Sequence, residues 1–296
     1  MNILVSGISG FLGRHVAAEV VKRGHNLVRR QFDLLSEFTP GQRAMMGPVD
    51  AVIHCAAICR WSPKPNSDGR FGKNLDMCGN LLGLLPLLST VVLPMPHGAL
   101  DPWNAYSCAA DSIVSTYARD SLRPVYLPTL YGEGDPHHAK AIPSFLLCAT
   151  GRGESQPVIY GGGHQRRHYM HVEEAAKRLV QAVGDPGIVS PVVHGEIASI
   201  EGLETMVRRI AYEVGRKVPL PEHRPWQFRA DGLGSPSPDL VGPPEPGPTE
   251  RRLEEWLYAT IKKRLEALAE EQRKRAEEEA KAFAGPSGSD GPDFSL

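Results

Sequence analysis

Apolar and polar positions in this chain alternate between two periods, and the alternation sets out an order of elements. Asn2-Ile3-Leu4-Val5 is a short, near-continuous apolar run, the pattern of a strand covered on both faces. From Phe11 to Arg23 the period becomes helical, and Lys22, Arg23 and Gly24 close the stretch, as a cationic last turn and a C-terminal glycine should. His25 to Val28 reads as a second strand and Val49 to Ala57 as a third, ending in two small residues. Little chain separates Val28 from Asp33, so a crossover helix there is expected to be missing or vestigial. Residues 58–73 are polar and rich in Pro, Gly and Ser, and read as a loop.

Asn74 to Leu85 carries the next helical pattern, and Pro86 stops it. Leu87 to Val92 predicts a strand, Ala109 to Arg119 roughly a helix, and Pro124 to Leu127 another strand, closing on Pro128 to Gly132. Strands and helices in that alternation predict an α/β fold with a doubly wound, mainly parallel sheet of Rossmann type.

Beyond Gly132 the texture changes. Helices are expected over Ala141 to Thr150, Glu173 to Val183 and Ile200 to Val214, with a short strand at Val158-Ile159-Tyr160. Residues 217–248 are dense in proline and glycine and predict little regular structure. A last helix opens at Thr249, a good N-cap, with Leu253, Trp256, Leu257, Ile261, Leu265 and Leu268 on one face. From Glu270 to Lys281 the stripe gives way to interleaved Glu, Lys and Arg, the mark of a solvated helix, and Gly285 to Leu296 has a disordered composition.

Chemistry enters at the first strand–helix junction, where Gly7, Gly10 and Gly13 stand three residues apart. A dinucleotide pyrophosphate needs that order. Gly7 permits the tight turn, Gly10 lets backbone approach the phosphates, and Gly13 lets helix and strand pack closely. A glycine-rich turn without a ligand is the plainer reading; the strand before it and the helix after it favour the dinucleotide.

Charge and cysteines then exclude classes. Lys+Arg 33 against Asp+Glu 34 leaves a net charge of -1, so no global field favours nucleic acid or a membrane surface. The cysteines at 55, 59, 78, 108 and 148 follow no ligand spacing and read as reduced thiols. The longest apolar stretch, Leu81 to Val92, is too short to span a bilayer. With no basic leader ahead of the first strand, a cytoplasmic protein with a small-molecule substrate is the expectation.

Several motifs, in order, resemble the extended short-chain dehydrogenase/reductase family, the NAD(P)-dependent nucleotide-sugar epimerases and dehydratases, over roughly residues 1–262. Gly7, Gly10 and Gly13 with Phe11 and Leu12 resemble its cofactor fingerprint. Asp33-Leu34 is similar to its adenine-contacting pair, and His54-Cys55-Ala56-Ala57 to its segment beneath the pyrophosphate and nicotinamide ribose. Asn74 resembles the asparagine on the helix behind the site, and Pro128 the proline that abuts the nicotinamide. Tyr160 to Glu174 resembles the segment that brings an arginine, here Arg167, to substrate phosphates. The resemblance implies a Rossmann domain at 1–132, to which 168–190 returns, and a substrate-binding region at 133–167 and 191–262; the charge pattern leaves a charged helix and tail at 263–296. It also leaves a homodimer open, through a helix pair that includes the helix after Tyr106. Leu130 to Pro136 would equally suit 3β-hydroxysteroid dehydrogenases, which share the fold.

The same resemblance implies a tyrosine acid/base with a lysine four residues later. A free phenol, with a pKa of about 10, is a poor base at neutral pH and needs a nearby cation. Tyr106 stands at the tyrosine position, but Ala110 stands where the lysine belongs. A close ammonium lowers a phenol's pKa by about 1–3, so its loss costs roughly 1.4–4 kcal/mol and on the order of 10- to 1000-fold in rate. Arg60, Lys64 and Lys73 are candidate substitutes. Ser89 or Thr90, in the strand before the tyrosine helix, resembles the serine or threonine that hydrogen-bonds the reacting oxygen. Arg29 and Arg30 follow the second strand, where a base rather than an acid inclines the cofactor from NAD toward NADP. His164, His168 and His171 have no carboxylate pattern around them and do not read as a metal site. A catalytically silent NAD(P)-binding or regulatory protein, and a reductase of another hydroxyl or ketone, are the two alternatives.

Overall fold

In a computed structural model, the structure describes residues 1–29, 33–42, 47–58, 69–85, 89–96, 105–116, 121–135, 140–152, 156–186, 195–225 and 250–283, with backbone alone at 70, 84, 96, 105–108, 110, 111, 250–252 and 281–283. The strands are β1 (Asn2–Ser6), β2 (Asn26–Val28), β3 (Ala51–His54), β4 (Thr90–Pro96), β5 (Leu122–Leu127), β6 (Thr129–Tyr131), β7 (Val158–Tyr160), β8 (Arg166–His171), β9 (Glu196–Ser199) and β10 (Glu222–Arg224). The helices are α1 (Phe11–Lys22), α2 (Arg70–Leu84), α3 (Ala105–Thr116), α4 (Ala141–Ala149), α5 (Val172–Gly184), α6 (Ile200–Glu213) and α7 (Glu250–Phe283).

The first five strands form one parallel sheet in the order β2-β1-β3-β4-β5, as the alternation predicts. The order reverses about β1, so chain leaves its carboxyl end in opposite directions and opens a crevice there. The sheet is covered on both faces, which explains its near-continuous apolar strands. Val16, Val20, Ala175, Leu179 and Val183 bring α1 and α5 onto one face. Met77, Leu81, Ala109 and Ile113 bring α2 and α3 onto the other.

A second core joins α4, α6 and α7 through Phe145, Leu146, Leu203, Val207, Leu253, Leu257 and Ile261. Here β8 bridges β6 (parallel) and β9 (antiparallel). Glu196 of β9 is buried, and its carboxylate accepts from the Tyr131 hydroxyl at 3.2 Å and from the Leu253 N–H at 2.8 Å and 3.1 Å. Leu253 lies in the first turn of α7, where N–H groups lack helical partners. The buried carboxylate therefore fastens the last helix to β6.

Several boundaries differ from the pattern-based expectation. β4 runs on to Pro96 rather than stopping at Val92, because Val92 is its last partner on β3 while pairing with β5 continues to Pro96 opposite Leu127. Pro94 and Pro96 thus sit where β4 has one paired side only, which is where strands tolerate proline. α2 begins at Arg70 and α3 at Ala105, each four residues before expected, so Tyr106 is helical. β8, β9 and β10 are not legible in the local pattern: β8 opens on Arg166-Arg167-His168 with no apolar alternation, β9 and β10 are short, and β10 sits in the proline-dense stretch, where pairing with β7 decides the conformation. Among the described residues no helix is long and apolar enough to cross a membrane.

Candidate functional site

The site is built at the carboxyl edge of the parallel sheet. Gly7 follows β1 at φ +65°, a conformation that favours glycine, and a Cβ there would lie 2.6 Å from the Ala56 nitrogen. A Cβ on Gly13 would overlap the Gly7 carbonyl oxygen. The Gly10 N–H closes the turn onto that same oxygen at 2.9 Å, and Gly10 caps α1 with no side-chain hydrogen bond and no acid in the first turn. Among the described residues, the positive end of α1 therefore has no capping side chain or first-turn acid of its own, the arrangement that suits a diphosphate.

Beneath the turn, Ser6 and His54 link the ends of β1 and β3. The Ser6 hydroxyl lies 2.7 Å from His54 Nδ1 and accepts from the Ala56 N–H at 3.2 Å. Burial drops the His54 pKa to about 4, so the ring is neutral there. Cys55 is half-buried against the sheet core, and the burial of its thiol pushes it up to about 12, which makes it a packing residue rather than a nucleophile. Asn74, itself buried, accepts from the Ile58 N–H at 2.9 Å and donates to the Ile58 carbonyl at 3.4 Å. It pins the chain that leaves β3.

Asp33 accepts from the Leu35 N–H at 3.0 Å and the Ser36 hydroxyl at 2.9 Å, so its carboxylate organises its own turn. Leu34 is buried against the α2 face, and Asn80 donates to its carbonyl at 2.9 Å. Ala56, Ala57 and Pro128 are half-buried; Pro128 stands between β5 and β6. Phe11 and Leu12 open α1 directly after the glycine turn. Tyr106 and Ala110 share α3, four residues apart, with backbone alone described at both. Arg29 follows β2, while Arg30, Arg60 and Lys64 lie outside the described residues.

One expectation is corrected. Ser89 and Thr90 are not at the cofactor edge: Thr90 pairs with Ala51, the first residue of β3, whereas the glycine turn lies beyond Ser6 opposite His54, the last. The buried Ser89 hydroxyl donates to the Val49 carbonyl at 3.1 Å. The catalytic role suggested for the pair fails because both residues occupy the amino end of β4, across the sheet from the crevice.

On the substrate side, the Arg167 guanidinium donates to the Arg166 carbonyl at 3.0 Å, and the arginine precedes Tyr169, which pairs with Thr129. Burial pushes Tyr169 up to about 12 against the opposing Arg167 charge. The three histidines do separate work: His164 meets Glu201 at 3.4 Å, His168 is buried in β8, and His171 caps α5 by accepting from the Glu173 N–H at 3.4 Å. Tyr131, His171 and Trp256 form an aromatic cluster beside Gly132, with Tyr131 centred 5.3 Å from His171 and 5.2 Å from Trp256. Sequence reasoning misses Arg14, Lys140 and Glu196, since no local motif marks them.

The sequence profile of the NAD dependent epimerase/dehydratase family matches residues 3–190. The chain belongs to this family. A dTDP-glucose 4,6-dehydratase of Neisseria meningitidis serogroup B is 31% identical over 117 residues, covering 38% of this chain and 32% of the relative. The match thus spans about a third of that relative's length. Among solved structures, a UDP-glucose 4-epimerase of Thermus thermophilus, in complex with NAD, has a TM-score of 0.63 at 18% identity, covering 88% of this chain and 98% of that one. RMD from Pseudomonas aeruginosa, complexed with NADPH, has a TM-score of 0.61 at 18% identity, covering 89% and 99%. At such identity the structural likeness speaks to the fold. Within the family profile lie the glycine turn, the strand ending at His54, α3 and the turn after β6.

Proposed function

We propose that the protein binds NAD(P) and acts on a nucleotide-linked sugar by oxidoreduction, epimerisation or dehydration, with Tyr106 as acid/base. The observation that carries this reading is the Gly7–Gly10–Gly13 turn, closed on one carbonyl oxygen beneath an uncapped helix end. Residues 1–132 and 168–190 are assigned to the cofactor, and 133–167 with 191–262 to the substrate. The dinucleotide, when bound, supplies the hydride acceptor or donor. The chain supplies the backbone N–H groups of Phe11, Leu12 and Gly13 for the diphosphate, ahead of Arg14, whose N–H is bonded to the Gly10 carbonyl, and Arg167 for substrate phosphates. The Tyr106 phenol takes the proton from, or gives it to, the sugar oxygen whose carbon exchanges the hydride. Arg29, at the end of β2, favours a 2′-phosphate and hence NADP. The sugar-nucleotide class is supported by the dTDP-glucose dehydratase relative and by the likeness of Tyr160 to Glu174 to the family's phosphate-binding segment.

Fluorescence titration with NADPH and NADH tests the binding step, and no binding of either at millimolar concentration overturns the proposal. A panel of dTDP- and UDP-sugars, followed by nicotinamide absorbance and product NMR, tests the chemistry.

A second reading, a dinucleotide-binding protein without turnover, is favoured by Ala110 at the lysine position. Turnover that Tyr106→Phe abolishes excludes it.

A further inference from the structure

Arg14 stands in a place that helix electrostatics disfavour. It is the fourth residue of α1, next to the positive end, in a first turn that holds no acid. A cation there opposes the helix dipole, so its position answers to something other than helix stability. Its guanidinium reaches the turn after β6 and donates to the Glu133 carbonyl at 3.2 Å and to the Gly134 carbonyl at 2.6 Å. Gly134 has φ +80°, which calls for glycine, and a Cβ on it would push the guanidinium off the turn.

A second cation duplicates the tie. Arg14 lies 5.8 Å and Lys140 5.9 Å from the centre of the Phe11 ring, and Lys140 pairs with Asp135 at 3.3 Å. Phe11, the residue after Gly10, therefore carries two cations that grip successive points of one turn, Glu133–Gly134 and Asp135. That turn leads from β6 toward α4. Side chains thus join the cofactor helix to the entrance of the substrate region.

We infer that Arg14 is a positioning residue that couples the dinucleotide cradle to the substrate region, so that a dinucleotide on the first turn of α1 and a nucleotide beyond Gly134 stabilise each other's binding. This rests on the proposed function. Both bonds come from one guanidinium nitrogen, Nη2, which the planar group holds against Phe11 and over two carbonyls one residue apart; a lysine ammonium ends one bond short of that point on a flexible stem and does not hold the pair. Lys140 keeps its own hold on Asp135 when Arg14 is changed, so the cradle retains its shape and loses the link.

The test is NADPH affinity of the full chain with and without saturating dTDP, or UDP, for the parent, Arg14→Ala, Arg14→Lys and Gly134→Ala. In the parent the nucleotide should tighten NADPH about 5-fold or more, the usual lower range for coupled sites. In all three variants that factor should fall to near unity, while NADPH affinity without nucleotide changes by less than about threefold, because a residue that acts only on coupling leaves single-ligand binding in place. A merely structural arginine would leave the ratio unmoved. A parent-like factor in Arg14→Ala, or in Arg14→Lys should the alanine variant not fold, overturns the inference. A parent that binds NADPH with no nucleotide effect overturns it as well, and leaves the proposed function standing. A parent that binds no NADPH overturns the proposed function itself.

Discussion

Gly13 and Gly7 meet across the first turn: a Cβ on residue 13 would occupy the place of the Gly7 carbonyl oxygen. That oxygen also accepts the Gly10 N–H, so the turn cannot shift to admit a methyl without losing its closing hydrogen bond. Gly13→Ala is expected to lower stability by about 2–3 kcal/mol, the range of overpacking in a tight site. It should also weaken NADPH more than tenfold. Thermal unfolding and fluorescence titration measure the two, and parent-like NADPH affinity in a folded Gly13→Ala protein would place the dinucleotide elsewhere.

The Ser6–His54 pair predicts acid sensitivity. His54 falls from an ordinary 6.5 to about 4 in the folded chain because burial disfavours its charged form. A group whose folded pKa is lowered contributes stability that is full above the unfolded value and is lost as pH falls through the folded one. The window therefore runs from about pH 6.5 down to about 4, and the contribution is on the order of 3 kcal/mol. Unfolding followed at pH 7 and pH 4.5 should show a clear loss for the parent and a smaller one for His54→Asn. Equal losses would remove His54 as the cause.

Glu196 fastens α7 to β6 through Tyr131 and Leu253. Hydrogen bonds to a buried carboxylate contribute about 1.5–3 kcal/mol. Glu196→Ala should cost about 3 kcal/mol and Tyr131→Phe about 1.5 kcal/mol, by denaturant unfolding. A double-mutant cycle over the two positions should show non-additivity, since both remove the same contact. Additive effects would mean that the carboxylate acts through α7 alone.

Ser89 and Ala110 separate folding from chemistry. Ser89→Ala should destabilise by about 1 kcal/mol through loss of its bond to Val49, with kcat/KM unchanged within error. Ala110→Lys should raise turnover by about tenfold or more if Tyr106 is the acid/base, because an ammonium one helical turn away lowers the phenol's pKa. Steady-state kinetics on a responding sugar nucleotide decides both. A rate equally low in the parent, Ala110→Lys and Tyr106→Phe would favour the silent reading.

The gap at Ala110 is legible only through the family resemblance, but local pattern alone determined the parallel α/β architecture, the glycine turn and the packed face of α7. Each depends on residues within one or two turns of each other, where periodicity, turn chemistry and spacing act directly. Register and reach lay beyond it. Which end of β4 faces the crevice is a matter of pairing with β3 and β5, and that pairing moved Ser89 and Thr90 away from the chemistry. The strands β8, β9 and β10 exist because remote partners satisfy their backbone groups. Arg14 on Glu133 and Gly134, and Glu196 on Tyr131 and Leu253, join positions tens of residues apart or more. No local pattern encodes such contacts, because their geometry arises only once the two cores have packed.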